Sequence, residues 1–157
     1  LEIIDINKIA KESGLFEENQ NIKEVDTEKL GKIIKKENLE NTIIVGHLAP
    51  YVLEKNQIKK IIVLRRNPYD LIISYKQRQY TDKKSRENAG SEILGVIAHD
   101  VIKQFSEKAF QIDNSEKSIN ETVKEVLDTI LGNHKDVEID WLNMVTENDD
   151  LKKFFVD

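Results

Sequence analysis

Short apolar runs alternate along this chain with stretches whose apolar residues recur every three or four positions, which predicts an α/β fold on a parallel sheet. Leu1-Glu2-Ile3-Ile4-Asp5-Ile6 is the first strand candidate, and a short helix follows it through Lys11. Residues 14–25 are polar, rich in Glu and Asn, and read as irregular. Asp26-Thr27-Glu28 opens a helix as a cap with acidic first-turn residues, carrying Leu30, Ile33 and Ile34 on one face. Residues 41–45 and 60–64 are the next strands, apolar enough to be covered on both faces. Asn67-Pro68-Tyr69-Asp70 is a helix start: a cap, a proline where its missing N–H costs nothing, and an aspartate at the positive helix end. That helix runs to about Gln77, and Thr81 or Asp82 opens a longer one through Ile93, Val96, Ile97, Val101 and Ile102. Ala109-Phe110-Gln111-Ile112-Asp113 is the last strand. Ser118-Ile119-Asn120-Glu121 is a capping box for a helix carrying Val123, Val126, Leu127 and Ile130, stopped near Gly132.

A length of 157 residues, with 39% hydrophobic and 34% charged, suits one ordinary domain with a real core. The formal charge of −5 argues against broad attachment to nucleic acid or anionic membrane, and no direct sequence-specific nucleic-acid contact is expected. Three lysines against seven acidic residues lie in 133–157, a segment whose Trp141-Leu142 and Phe154-Phe155 find no clear partner in the pattern. There is no cysteine, hence no disulfide or thiol chemistry, and no apolar run approaches the roughly 20 residues that span a bilayer. The expected location is the cytoplasm.

The chemistry is concentrated. All four arginines, Arg65, Arg66, Arg78 and Arg86, fall within 22 residues, while the other twenty positive charges are scattered lysines. Arginine presents a planar fork that binds phosphate oxygens in pairs, so a phosphate site and a set of surface ion pairs are the two readings. Gly46-His47 follows a strand, and ligands in open α/β sheets collect outside the carboxyl ends of strands. Taken alone it is more readily a turn glycine with a capped histidine. Arg65 and Arg66 end another strand, expected in the same crevice, and Arg78 and Arg86 flank the tight connection Gln79-Tyr80-Thr81-Asp82. A helical hairpin carrying arginines can close over a phosphate and offset developing charge. His99 and His134 are not spaced as metal ligands, and no metal site is expected on these residues.

In order along the chain, these segments resemble the adenylate kinase isoenzyme 6 type, a family of archaeal and eukaryotic P-loop nucleoside monophosphate kinases. Asp5-Ile6-Asn7-Lys8-Ile9-Ala10-Lys11-Glu12 resembles the start of that family's monophosphate-binding segment and Glu24-Val25-Asp26 its end. Ile44-Val45-Gly46-His47-Leu48 resembles its Asp-x-His segment, and Ile62-Val63-Leu64-Arg65 its strand with arginine. Arg78-Gln79-Tyr80-Thr81-Asp82-Lys83-Lys84, with Arg86-Glu87-Asn88 and Glu92, resembles its lid and the following helix.

The resemblance implies a three-layer kinase core over residues 1–132, with the monophosphate segment at about 5–25, the lid at about 77–87, and an acidic extension at 133–157. It implies transfer of phosphate from ATP to AMP with magnesium, accompanying ATPase activity, and work in maturing small-subunit rRNA alongside the ribosomal protein uS11 and the pre-ribosomal particle. By position, Arg78 would meet ATP phosphate at the lid, Lys11 would stand where an arginine is common, and His47 would sit beside Gly46 near the phosphates. Arg65 would border the phosphate channel as a catalytic residue, and Arg86 would bind nucleotide. The alternatives are a nucleotide-switched assembly factor with little kinase activity, or an inert fragment.

The chain departs from the family in particular places. It holds no glycine-rich loop ending in Gly-Lys-Thr or Gly-Lys-Ser, and it starts at Leu1 within a strand, so an N-terminal truncation that removes the first strand, the P-loop and the first helix is expected. Val45 stands for an aspartate that helps place magnesium, Gln79 for a lid glycine, and Ser74 for a frequent arginine.

Overall fold

The computed structural model describes residues 2–19, 22–134 and 137–156, with the side chains of 16–24 left aside. The chain divides into two compact units, Leu1–Lys59 and Lys60–Asp157. It is mixed α/β, and its parallel strand pairs are short.

In the first unit, β1 (Glu2–Asp5) pairs in parallel with β4 (Thr42–Val45), Glu2 opposite Thr42 and Asp5 opposite Val45. Between them come α1 (Ile6–Glu12), β2 (Phe16–Asn19), β3 (Ile22–Val25) and α2 (Thr27–Ile34), and α3 (Ala49–Val52) follows. The segment expected to be irregular thus holds two antiparallel strands, Phe16 opposite Val25. Asp5 starts α1 by accepting the N–H groups of Asn7 and Lys8, and Asp26 starts α2 by accepting that of Lys29, as its cap position predicts. The core is Ile4, Ile6, Ala10, Leu30, Ile34, Leu48, Ala49, Val52 and Leu53. Ile3, Ile43 and Val45 lie on the opposite face of the pair and are exposed. In the second unit Leu64 is exposed as well, so the expectation that both faces of these strands are covered fails in both sheets among the described residues.

In the second unit, β5 (Ile61–Arg65) lies parallel to β6 (Ala109–Asp113), Ile61 opposite Ala109 and Arg65 opposite Asp113. Their connection runs through α4 (Pro68–Gln77), α5 (Asp82–Ile93) and α6 (Val96–Phe105). The single long helix expected from Asp82 onward is broken at Gly95, whose left-handed φ of +61° ends one helix and starts the next. Val101, Phe105 and Ile112 are buried between α6 and the sheet. After β6, the Ser118–Glu121 capping box starts α7 (Ile119–Leu131) and Gly132 ends it at φ +93°, as the pattern predicts.

The acidic segment is not a loose end. It forms α8 (Trp141–Glu147) and α9 (Leu151–Phe155), whose Val145 and Phe154 share a second buried cluster with Ala89 and Ile93 of α5. Tyr69, Ile72, Trp141 and Met144 pack around it. Full burial of a phenylalanine or valine side chain contributes about 1.5–3 kcal/mol, which outweighs the weak repulsion among exposed acidic side chains. Charge count concealed two apolar anchors.

Candidate functional site

In the first unit the carboxyl ends of β1 and β4 stand side by side. Gly46 leaves β4 with φ +135°, and a Cβ there would lie 3.3 Å from Asn7 Oδ1 and 3.4 Å from Ile6 Cβ. The backbone requires glycine, and the space for a side chain is tight. Asn7 Oδ1 is buried without a hydrogen-bond partner, a state few native polar atoms hold. His47 follows, exposed. Lys11 is exposed in the last turn of α1, four residues from Asn7 and therefore on the same helix face. The strand end thus gathers Gly46 and His47, with Lys11 one turn away along α1.

In the second unit Arg65 ends β5 and is only 3% exposed. Its Nε donates to Glu92 Oε1 at 2.6 Å, Nη1 to Gln111 Oε1 at 2.6 Å, and Nη2 to the Glu92 carbonyl at 2.9 Å. Glu92 Oε1 also accepts from Trp141 Nε1 at 3.0 Å and from the Arg66 backbone N–H at 3.3 Å. Gly95 makes the pocket possible, since a Cβ there would lie 3.3 Å from Arg65 Nη2. In this arrangement the Arg65 guanidinium faces protein groups; a phosphate would have to displace one of them.

Arg78 is different. It caps the end of α4, its N–H reaching the carbonyls of Ser74 and Tyr75, and its side chain is exposed. The turn beyond it is well held: Gln79 takes a left-handed φ of +59°, and the Tyr80 N–H donates to the Tyr75 carbonyl at 3.1 Å. The Tyr75 and Tyr80 rings stack 5.4 Å apart at 5°, and the Lys84 ammonium lies 4.2 Å over the Tyr80 ring. Burial pushes the Tyr75 phenol up, and the Glu92 charge adds to that. Arg86 is half-buried on α5, in a groove with Lys83, Glu87, Phe154 and Phe155.

A firm hairpin tip presenting one solvent-facing guanidinium is suited to clasping an anion. Sequence reasoning passed over Glu92, Gln111, Gly95 and Trp141 as site residues. Two signals pointed to them: a glycine inside an apolar helical pattern, and the only tryptophan standing in a strongly acidic segment.

A scan against protein-family models matches none to this chain. A protein of Methanosarcina barkeri is 31% identical over 160 aligned residues, covering 91% of this chain and 85% of its own length. One from Methanococcus maripaludis is 33% identical over 144 residues, covering 88% and 77%. One from Saccharolobus solfataricus is 29% identical over 148 residues, covering 90% and 74%. Each bears the name "Putative adenylate kinase".

Proposed function

The chain belongs to the family of these archaeal adenylate kinases, and from that premise we propose that it serves phosphoryl transfer from ATP to AMP. The observation carrying this reading is the exposed Arg78 on its ordered turn, within a chain alike to those relatives over nine tenths of its length. In such a reaction a protein mainly orients the two nucleotides and offsets negative charge. Arg78 reaches the ATP phosphates from the hairpin, with Arg86 behind it on α5. In the first unit the resemblance gives Gly46 and His47 a phosphate role at the β4 end, and Lys11, with the segment from Asp5 to about Val25, the monophosphate; in the second it gives Arg65 a phosphate role at the β5 end.

The kinship of the isoenzyme 6 type is part of the same proposal, as is a phosphate cradle supplied by sequence beyond these residues. Two-stranded parallel sheets seldom stand alone, and among the described residues both parallel pairs here are two-stranded with apolar faces exposed. An added strand would supply partners to the open edges. Magnesium is part of the same proposal: such an ion is bound by one or two carboxylates together with the nucleotide phosphates, and apolar Val45 ends β4 where the resemblance expects one of those carboxylates. No step here runs through the ion.

Val45 also favours a second reading, in which nucleotide binding switches the grip of an assembly factor on a small-subunit ribosomal protein. Weaker metal placement harms turnover more than binding. A pull-down with and without ATP, beside an ADP-formation assay, separates the two. For the kinase reading, Arg78→Ala in the protein expressed from its complete reading frame lowers turnover well beyond tenfold; an unchanged rate removes the role of Arg78.

A further inference from the structure

Hydrogen bonds at two points tie the C-terminal helices to the arginine-bearing hairpin, and both points lie far from its tip. Trp141 Nε1 donates to Glu92 Oε1 at 3.0 Å, near the end of α5. The Tyr69 hydroxyl, in the first turn of α4, donates to Asp150 Oδ2 at 2.8 Å and accepts from Asn148 Nδ2 at 3.2 Å. Between these points Phe154 meets the Tyr69 ring edge-on at 5.4 Å, and the Lys153 ammonium lies 4.9 Å over the same ring. A Cβ on Gly90 would lie 3.1 Å from Phe155, so α9 approaches α5 about as closely as glycine permits.

We propose that α8 and α9 form a strut that fixes the tilt of the α4–α5 hairpin, with Trp141 and Asp150 as positioning residues for Arg78. The lever is long. α4 has ten residues, about 15 Å of helix, so each degree of tilt at its base moves the tip by about 0.3 Å. A displacement near 1 Å in a positioning group can cost about a hundredfold in rate, so a few degrees matter. The strut grips α4 where it begins and α5 where it ends, while the tip is held by its own turn, the tyrosine stack and Lys84. The consequence for catalysis rests on the kinase reading; the mechanical claim does not.

The test uses Trp141→Phe, which keeps an aromatic ring in the cluster, and Tyr69→Phe, which removes only a hydroxyl, with Asp150→Ala and Asp150→Asn as a rescue pair. Amide hydrogen exchange is compared between 76–84 and the strands 61–65 and 109–113, and kcat and KM are measured for ATP and AMP. The strut predicts about tenfold faster exchange at the tip with the strands unchanged, and a fall in kcat larger than any rise in KM. It predicts that Asp150→Asn, which keeps an acceptor oxygen for Tyr69, restores most of both. Should Trp141→Phe fail to fold, the Tyr69 and Asp150 variants decide the matter alone. Uniform acceleration across tip and strands, or none anywhere, overturns the proposal. Selective acceleration at the tip in a protein that transfers no phosphate to AMP upholds the strut and refutes the kinase reading instead.

Discussion

Replacing Arg65 by alanine measures what its buried guanidinium contributes. Three bonds of 2.6, 2.6 and 2.9 Å disappear, and Gln111 loses its donor. Glu92 keeps Trp141 and the Arg66 N–H, and its side chain is 21% exposed, so water can replace part of what it loses. Removing one partner of a buried pair costs about 3–5 kcal/mol, and these remaining donors place Arg65→Ala at about 3 kcal/mol. Arg65→Lys keeps the charge but cannot serve Glu92 and Gln111 together, and should cost roughly half as much. The assay is urea unfolding followed by the fluorescence of Trp141, the only tryptophan, whose indole touches the same carboxylate. With a slope of about 1–3 kcal/mol per molar urea, the midpoint falls by about 1–3 M. A loss under about 0.5 kcal/mol, the range of ordinary surface changes, with unaltered tryptophan emission refutes the reasoning. It would free Arg65 to serve a phosphate directly.

Other substitutions probe the same geometry. Gly95→Ala puts a side chain on left-handed backbone and 3.3 Å from Arg65 Nη2, a cost of about 2 kcal/mol by urea unfolding; a double-mutant cycle with Arg65→Ala should show part of it vanish. Gln79→Gly relieves the left-handed φ of +59° and should raise the unfolding free energy by about 0.5–1 kcal/mol, read by urea unfolding. At Glu121, the Ser118 hydroxyl and then its N–H hold the carboxyl below its ordinary value. The folded state therefore binds that proton more weakly than the unfolded one, and this stabilisation is present above pH 4.5 and lost as pH falls below it. The protection of α7 amides, taken relative to the intrinsic exchange rate at each pH, should fall over that acid window, and Ser118→Ala should flatten the dependence.

Much of this architecture was legible because its signals are local. Caps at Asp26, Asn67, Thr81 and Ser118 each accept the N–H their positions predict, and the strands read at 41–45, 60–64 and 109–113 form at 42–45, 61–65 and 109–113. What escaped notice depends on partners distant in sequence. The strands at 16–19 and 22–25 carry no alternation and are defined by their pairing. The arginine cluster suggested one shared purpose for four guanidinium groups. Yet Arg65 is fixed by Glu92 and Gln111, 27 and 46 positions away, while Arg78 faces solvent. No window of sequence distinguishes those environments. The acidic composition of 133–157 hid the anchoring of Trp141, Val145 and Phe154 for the same reason: hydrophobic partners on another helix decide it.

Phosphoryl transfer itself is the most direct test. Equimolar ATP and AMP are incubated with magnesium and the protein expressed from its complete reading frame, and the phosphorus resonances are followed. The reading offered here requires ADP to accumulate from both nucleotides together, at a rate that collapses in Arg78→Ala. ADP formation that is indifferent to AMP, or no ADP at all, contradicts it.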